Sequence, residues 1–308
     1  NLCPSEQIPQ KFRRNRPVEF DSNFRGILGI NQHRLGMIGI GVFDFEECPL
    51  PGRTAPPVWA AAVAGDRVRL DRAFTGRCNL FAESAGVLVV DKDAIDRLNR
   101  IDEAVTLATL SAYKPVVAGE MIATVKIIPF AVAGAARDKA VAEAAKAKPV
   151  IRVAPYKVKK LGIVSTLLPG LAPNVVEKTL KITAARIAPA GATIVAERRV
   201  LHEQAALARA IDEVRKAGAE LVIVFGASAI ADRRDVIPTA IEAVGGEIEH
   251  FGMPVDPGNL MLIGRARGRP VLGAPGCARS PKENGFDWVL MRLLAGLPVS
   301  RADVTGMG

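Results

Sequence analysis

Residues 225–238, Phe-Gly-Ala-Ser-Ala-Ile-Ala-Asp-Arg-Arg-Asp-Val-Ile-Pro, leave an apolar run, pass through small side chains and two arginines, and enter a helix start. That order can hold an anion. Small residues such as Ala227 and Ser228 let backbone N–H groups approach a phosphate oxygen. Arg233 and Arg234 carry planar guanidinium forks matched to phosphate, and the Asp235 carboxylate can bind Mg²⁺ or orient a nucleophile. A plainer reading has Asp235 capping a helix with both arginines solvated, and spacing alone leaves both open. A second set lies at 253–259 and 273–284, where the turn Asp256-Pro257-Gly258 and the segment Pro275, Gly276, Cys277, Ser280 lead to a helix N-terminus suited to cradling an anion. Cys277, beside Arg279, is a candidate for a lowered thiol pKa, or a structural cysteine in a turn. His202 reads as a capping or surface residue, with Glu203 favouring the positive end of the next helix.

Positioning these groups needs strand ends. From residue 155 onward, apolar runs at 161–165, 192–197, 220–225, 260–264 and 270–272 alternate with helical patterns at 174–187 and 203–216, with one opening at Asp235 and one over 282–294. Gly218 and the pair Gly245-Gly246 are the stops. Such alternation predicts a mainly parallel sheet covered on both faces, a three-layer α/β/α domain over 155–308. Ligands of such sheets bind at the C-terminal ends of the strands, so the loops after Val164, Phe225 and Leu272 are the expected site. Residues 57–154 predict a smaller mixed α/β region. It holds a helix from Val58, strands at 67–70, 86–90 and 120–132 (limited by Pro129), a helix from Asp91 or Lys92, and an exposed helix over 138–148. Residues 1–56, with a Gly-rich apolar stretch at 26–42 and prolines at 49–57, form an unassigned segment.

The 308 residues are 49% hydrophobic, with 28 Gly and 21 Pro dispersed, which excludes a mostly disordered or collagen-like chain. The net charge of +9 is spread thinly apart from Lys11, Arg13, Arg14 and Arg16, and aromatics are 5%, so small anions fit the field better than nucleic acid. Cys3, Cys48, Cys78 and Cys277 are far apart, without a CxxC pair and with three histidines in the chain, which argues against a zinc site or a disulfide scaffold. No uninterrupted 18-residue apolar run or leader pattern occurs, so the expected location is the cytoplasm, with no membrane partner. GxxxxGK[ST] is absent, and the glycines at 36, 39 and 41 do not complete GxGxxG, whose third position is Asp44.

Segments 234–238 (Arg-Asp-Val-Ile-Pro), 256–258 (Asp-Pro-Gly) and 273–276 (Gly-Ala-Pro-Gly) resemble, in order, the RDVTP, KPG and GLPG elements of the molybdopterin-binding domain family, which includes MogA/MoaB-like and MoeA-like proteins. Ser165-Thr166 follows the first strand as in the molybdotransferase branch. Segments 74–83, 123–130 and 226–229 are similar to the first half of bacterial proteins that join this module to a cytidylyltransferase-like domain. The nucleotide loop of that downstream domain does not occur here, and residues 1–56 do not resemble the family's usual start. The chain is therefore expected to be the front part of a longer protein with a divergent or frame-shifted beginning. The resemblance implies the molybdopterin-binding fold over 155–308 and molybdopterin as ligand or substrate, with Mg²⁺ and a nucleotide alongside. It implies a molybdoenzyme or cytidylyltransferase-like partner and a homo-oligomer. Asp235 would be the catalytic, metal-linked carboxylate, and Ser165, Thr166, Ala227, Ser228, Arg233, Arg234, Pro257, Gly258, Pro275, Gly276, Cys277 and Ser280 would bind substrate. The chain departs from the family pattern at Ala227-Ser228-Ala229-Ile230 in place of GGTG, at His202 in place of Asp, and at Asp256 in place of the KPG lysine. These departures favour a module that presents the pterin for nucleotidyl or metal transfer. An active adenylyltransferase or molybdotransferase, and a regulatory protein that keeps only the fold, are the two alternatives.

Overall fold

A computed structural model of the chain describes residues 40–42, 58–74, 76–128, 131–147, 149–170 and 173–308. The basic cluster at 11–16, glycines 36 and 39, prolines 49–57, Cys3, Cys48 and Pro129 lie outside the described residues.

In chain order the first elements are β1 (Ile40–Val42), α1 (Val58–Val63), β2 (Val68–Leu70), β3 (Arg77–Ala82), β4 (Gly86–Val90), α2 (Lys92–Asn99), β5 (Val105–Thr109), β6 (Pro115–Val116), β7 (Met121–Ile127), β8 (Ala131–Ala133), α3 (Gly134–Lys146) and β9 (Ile151–Pro155). Strands β2-β3-β7-β5 form one antiparallel sheet and β6-β4-β9 another. Trp59, Leu80, Leu88, Leu98 and Ile122 fill the core between these sheets and helices. The helix expected to be exposed over 138–148 is α3, and it is not exposed all round. Ala136, Ala140 and Ala144 repeat every four residues as a buried stripe, because methyl side chains let the helix lie close to its neighbours.

The remaining elements are β10 (Lys160–Leu167), α4 (Pro173–Ile187), β11 (Thr193–Leu201), α5 (Gln204–Lys216), β12 (Leu221–Phe225), α6 (Val236–Ala243), β13 (Glu247–Phe251), β14 (Leu262–Ala266), β15 (Arg269–Ala274), α7 (Gly285–Leu294) and α8 (Arg301–Thr305). They build a six-stranded sheet in the order β11-β10-β12-β15-β14-β13, parallel across the first three junctions and antiparallel across the last two. The chain is α/β, and this sheet is a three-layer assembly. Leu161, Ile163, Ile223 and Phe225 pack with Phe286, Leu290 and Leu294 of α7 on one face, where α4 also lies. Val164, Val222 and Val224 pack with Leu207 and Ile211 of α5 and Ile237 and Ile241 of α6 on the other. The alternation is that of β-strands, whose successive side chains point to opposite faces. Helix ends follow local chemistry. Asp235 caps α6, and Asn284 and Asp287 form a capping box that starts α7 at Gly285, three residues after the expected start at 282.

Candidate functional site

Strand β10 carries, just before its last residue, two hydroxyl residues that alternation sends to opposite faces. Ser165 follows Ile163 toward α4 and α7, and Thr166 follows Val164 toward α5 and α6. Both are buried, and the Ser165 hydroxyl has no hydrogen-bond partner among the described residues. Thr166 joins three loops. Its Oγ1 accepts the Ala227 N–H at 2.9 Å and lies 2.8 Å from His202 Nδ1, while His202 Nε2 lies 3.0 Å from Ser228 Oγ. His202 is fixed at the end of β11 by its own N–H, which donates to the Leu167 carbonyl at 3.0 Å. The hairpin-like path at 226–228 requires glycine at its start, since a Cβ on Gly226 would sit 2.6 Å from the Ser228 carbonyl oxygen.

The loop continues along an exposed surface. Arg234 pairs with Asp232 at 2.9 Å, and its guanidinium holds the Asp232 carboxyl down at about 2. Asp235 is the α6 N-cap and accepts the Val236 N–H at 2.7 Å, with Ala231 N–H at 3.4 Å. Its carboxylate therefore caps the helix, as the plainer reading has it. Among the described residues no group of three or more His, Cys, Asp or Glu side chains gathers to hold a metal. A lone carboxylate at Asp235 fits Mg²⁺ only when ligand phosphates supply the other oxygens.

After β15, Pro275 opens a 3₁₀ turn (Gly276–Arg279). Arg279 ties that turn to the neighbouring loop. Its guanidinium donates to the Gly226 carbonyl at 2.8 Å and to Thr179 Oγ1 at 3.1 Å, and stands 5.2 Å from the Phe225 ring centroid. Burial pulls its pKa down from the ordinary arginine value. Arg186, from the last turn of α4, forms a buried ion pair with Asp287 and donates to the Ala278 and Ser280 carbonyls, each at 2.8 Å. The Asp256-Pro257-Gly258 turn docks on the α7 N-terminus, where the Gly285 N–H donates to the Pro257 carbonyl at 3.0 Å. Glycine is required at 258, where φ is 138° and any Cβ would stand 3.0 Å from the Gly285 backbone. The Cys277 thiol donates to Asn284 Oδ1 at 3.6 Å.

No family model matches the chain, and no curated protein matches it. Among the solved structures that resemble it weakly are two from the genus Pyrococcus. A molybdopterin biosynthesis MoeA protein from Pyrococcus horikosii is 15% identical, with 70% of this chain and 68% of that one covered at a TM-score of 0.34. The tungsten cofactor synthesizing protein MoaB from Pyrococcus furiosus is 18% identical, with 44% of this chain and 92% of that one covered at a TM-score of 0.32.

The structure brings Ser165, Thr166, Ala227 and Ser228 to the C-terminal ends of β10 and β12, and Arg279 links them to the turn holding Pro275, Gly276 and Cys277. Pro257 and Gly258 join that turn through the α7 N-terminus, and the Ser280 carbonyl is held by Arg186. Arg233 and Arg234 are exposed on the far part of the loop, outside these hydrogen bonds. Three expectations change. The Ala227 N–H is consumed by Thr166 and is not a free donor. The Cys277 thiol is pushed up by burial, not lowered by Arg279. His202 neither caps α5 nor stands alone on the surface, since Glu203 occupies the N-cap position and the imidazole bridges two hydroxyls. Arg279 and Arg186, absent from the expected site, hold its second wall. A cavity of about 680 Å³ is lined by Ile182 and Arg186 of α4, Trp288 and Met291 of α7, Pro281, and Lys114 and Tyr156 among others.

Proposed function

We propose that residues 155–308 bind molybdopterin at the C-terminal ends of β10, β12 and β15 and present it for nucleotidyl or metal transfer, with 57–154 as an accompanying region. The observation that carries this reading is convergence. Segments 165–166, 226–229, 234–238 and 273–276, which separately resemble elements of the molybdopterin-binding family or its fusion-protein branch, lie toward one end of the sheet, where Thr166, His202 and Arg279 tie the loops together. The pterin's phosphate would meet the hydroxyl of Ser228, with Pro275, Gly276 and the turn at 257–258 forming the opposite wall. Mg²⁺, where present, would sit at Asp235 with ligand phosphates completing its shell, and would neutralise phosphate charge. Arg233 and Arg234 would then act as approach charges at the rim.

The test is copurification of a pterin that becomes fluorescent on oxidation, followed by rebinding to the stripped protein. Binding at one molecule per chain supports the reading, and its absence sinks it. Asp235→Asn is the informative variant, because the amide oxygen keeps the helix cap while the charge is lost. Weakened binding in Asp235→Asn with unchanged stability assigns the carboxylate to the ligand. Unchanged binding leaves it as a cap.

A further inference from the structure

We propose that Thr166, His202 and Ser228 form a one-way hydrogen-bond chain that hands the Ser228 hydroxyl proton to an anionic phosphoryl oxygen at the open end of the sheet, as a hydrogen bond. The direction follows from counting protons. Thr166 is buried, and its oxygen already accepts the Ala227 N–H. Its single hydroxyl proton has one acceptor within reach among the described residues, His202 Nδ1 at 2.8 Å. If Nδ1 carried the ring proton instead, both it and Ala227 would donate to Thr166, and the threonine proton would be buried without an acceptor. That arrangement carries the full desolvation penalty of an unpaired donor. Thr166 therefore donates to Nδ1, and the neutral ring keeps its proton on Nε2. Nε2–H then donates to Ser228 Oγ at 3.0 Å, which turns the Ser228 proton outward, where the side chain is exposed.

Each link polarises the next, so the terminal hydroxyl is a better donor than an isolated serine. Its complement is an oxyanion. The same polarity excludes Ser228 as a nucleophile served by His202, since a protonated Nε2 cannot take the serine proton. His202 is a positioning residue that sets the orientation of Ser228 without touching the ligand. This inference requires a phosphoryl group and not a pterin, so it goes beyond the reading above and can survive that reading's failure.

The experiment uses the full chain, ¹⁵N-labelled, in mildly alkaline solution. Long-range proton–nitrogen spectra, with the signal assigned through His202→Ala, are expected to show Nε2–H at His202, and Thr166→Val is expected to lose that bias. Titration with inorganic phosphate and with phenyl phosphate should show about tenfold weaker binding for Ser228→Ala and for His202→Ala, as expected for a hydrogen bond to a charged group. The double variant should be no weaker than either single one. Ser228 is exposed, so its alanine variant removes no core packing. An Nδ1–H ring, covalent capture of Ser228 by a fluorophosphonate, or unchanged phosphate affinity in Ser228→Ala would each overturn the proposal. So would a loss confined to phenyl phosphate. Loss of pterin binding with the chain and phosphate affinity intact would count only against the molybdopterin reading.

Discussion

Asp232 and Arg234 illustrate how far a surface pair on the site loop is separable from the site. The carboxyl is held at about 2 against an ordinary 3.8, chiefly by the Arg234 side chain. A depressed acid favours the folded state above its unfolded pKa, and that contribution is lost as pH falls from near 3.8 through about 2. A carboxyl-resolved NMR titration is expected to place Asp232 near that lower value, and Arg234→Ala should move it back toward 3.8. Both groups are exposed, so the change in global stability should be small. At Cys277 burial acts in the opposite sense and keeps the thiol protonated. In a Cys3→Ser, Cys48→Ser background, both Cys277 and Cys78 should react slowly with a disulfide reagent at neutral pH and fast only on unfolding, since Cys78 is likewise raised by burial. Fast reaction at Cys277 in the folded chain would show the thiol to be activated. The cap at Asp235 was legible because it depends on neighbours a few residues away. The bridge at His202 was not, because Thr166 and Ser228 lie 36 and 26 residues away and meet it only through the strand order.

At the scale of elements, the site depends on two arginines that hold loops to helices. Arg186→Met would strip Asp287 of its buried ion pair, leaving it only the Asn284 N–H, and the Ala278 and Ser280 carbonyls of their guanidinium donor, at a cost of about 3–5 kcal/mol by denaturant unfolding. Arg186→Lys should recover only part of this, as an ammonium lacks the planar fork. The loop glycines divide cleanly. Gly226→Ala forces a backbone shift against the Ser228 carbonyl and should cost phosphate affinity, whereas Gly276→Ala meets open space and should not. Equal binding by both would show that the 226–228 path is more yielding than its contacts require. Sequence periodicity revealed β10, β12, β15, α4 and α5 because their apolar residues repeat at strand or helix spacing. It missed β13, an edge strand written Glu-Ile-Glu-His-Phe with its glutamates exposed, and it stopped β11 short, since that strand's outer half is Arg198, Arg199 and exposed Leu201. Edge strands carry little apolar signal because one side has nothing to bury against. Helix α8 lies beyond the last helix expected from the sequence, and it starts at a capping box formed by Ser300 and Asp303, three residues apart.

For the molecule as a whole, the two cores are stitched together. Arg292 of α7 is buried and stacks 3.6 Å from the ring centroid of Tyr113, which belongs to the turn before β6. Tyr113→Leu should cost about 2 kcal/mol, the scale of a desolvated cation–π contact, measured by thermal or denaturant unfolding. A negligible change would mean that the guanidinium finds another acceptor. No helix among the described residues is long and apolar enough to cross a membrane. The β9 strand belongs to both cores, since Ile151 and Val153 pack with the first and Ala154 with the second. Its backbone is also secured on two sides, by β4 along one edge and on the other by the Gly65 N–H to the Ile151 carbonyl and the Val153 N–H to the Asp66 carbonyl. In solvent-exchange terms, the amide protons of this strand should be among the last in the molecule to be replaced by deuterium. Their release marks the moment when both halves open together, so a ligand held at the far ends of β10 and β12 would slow isotope uptake near α3, which it never touches.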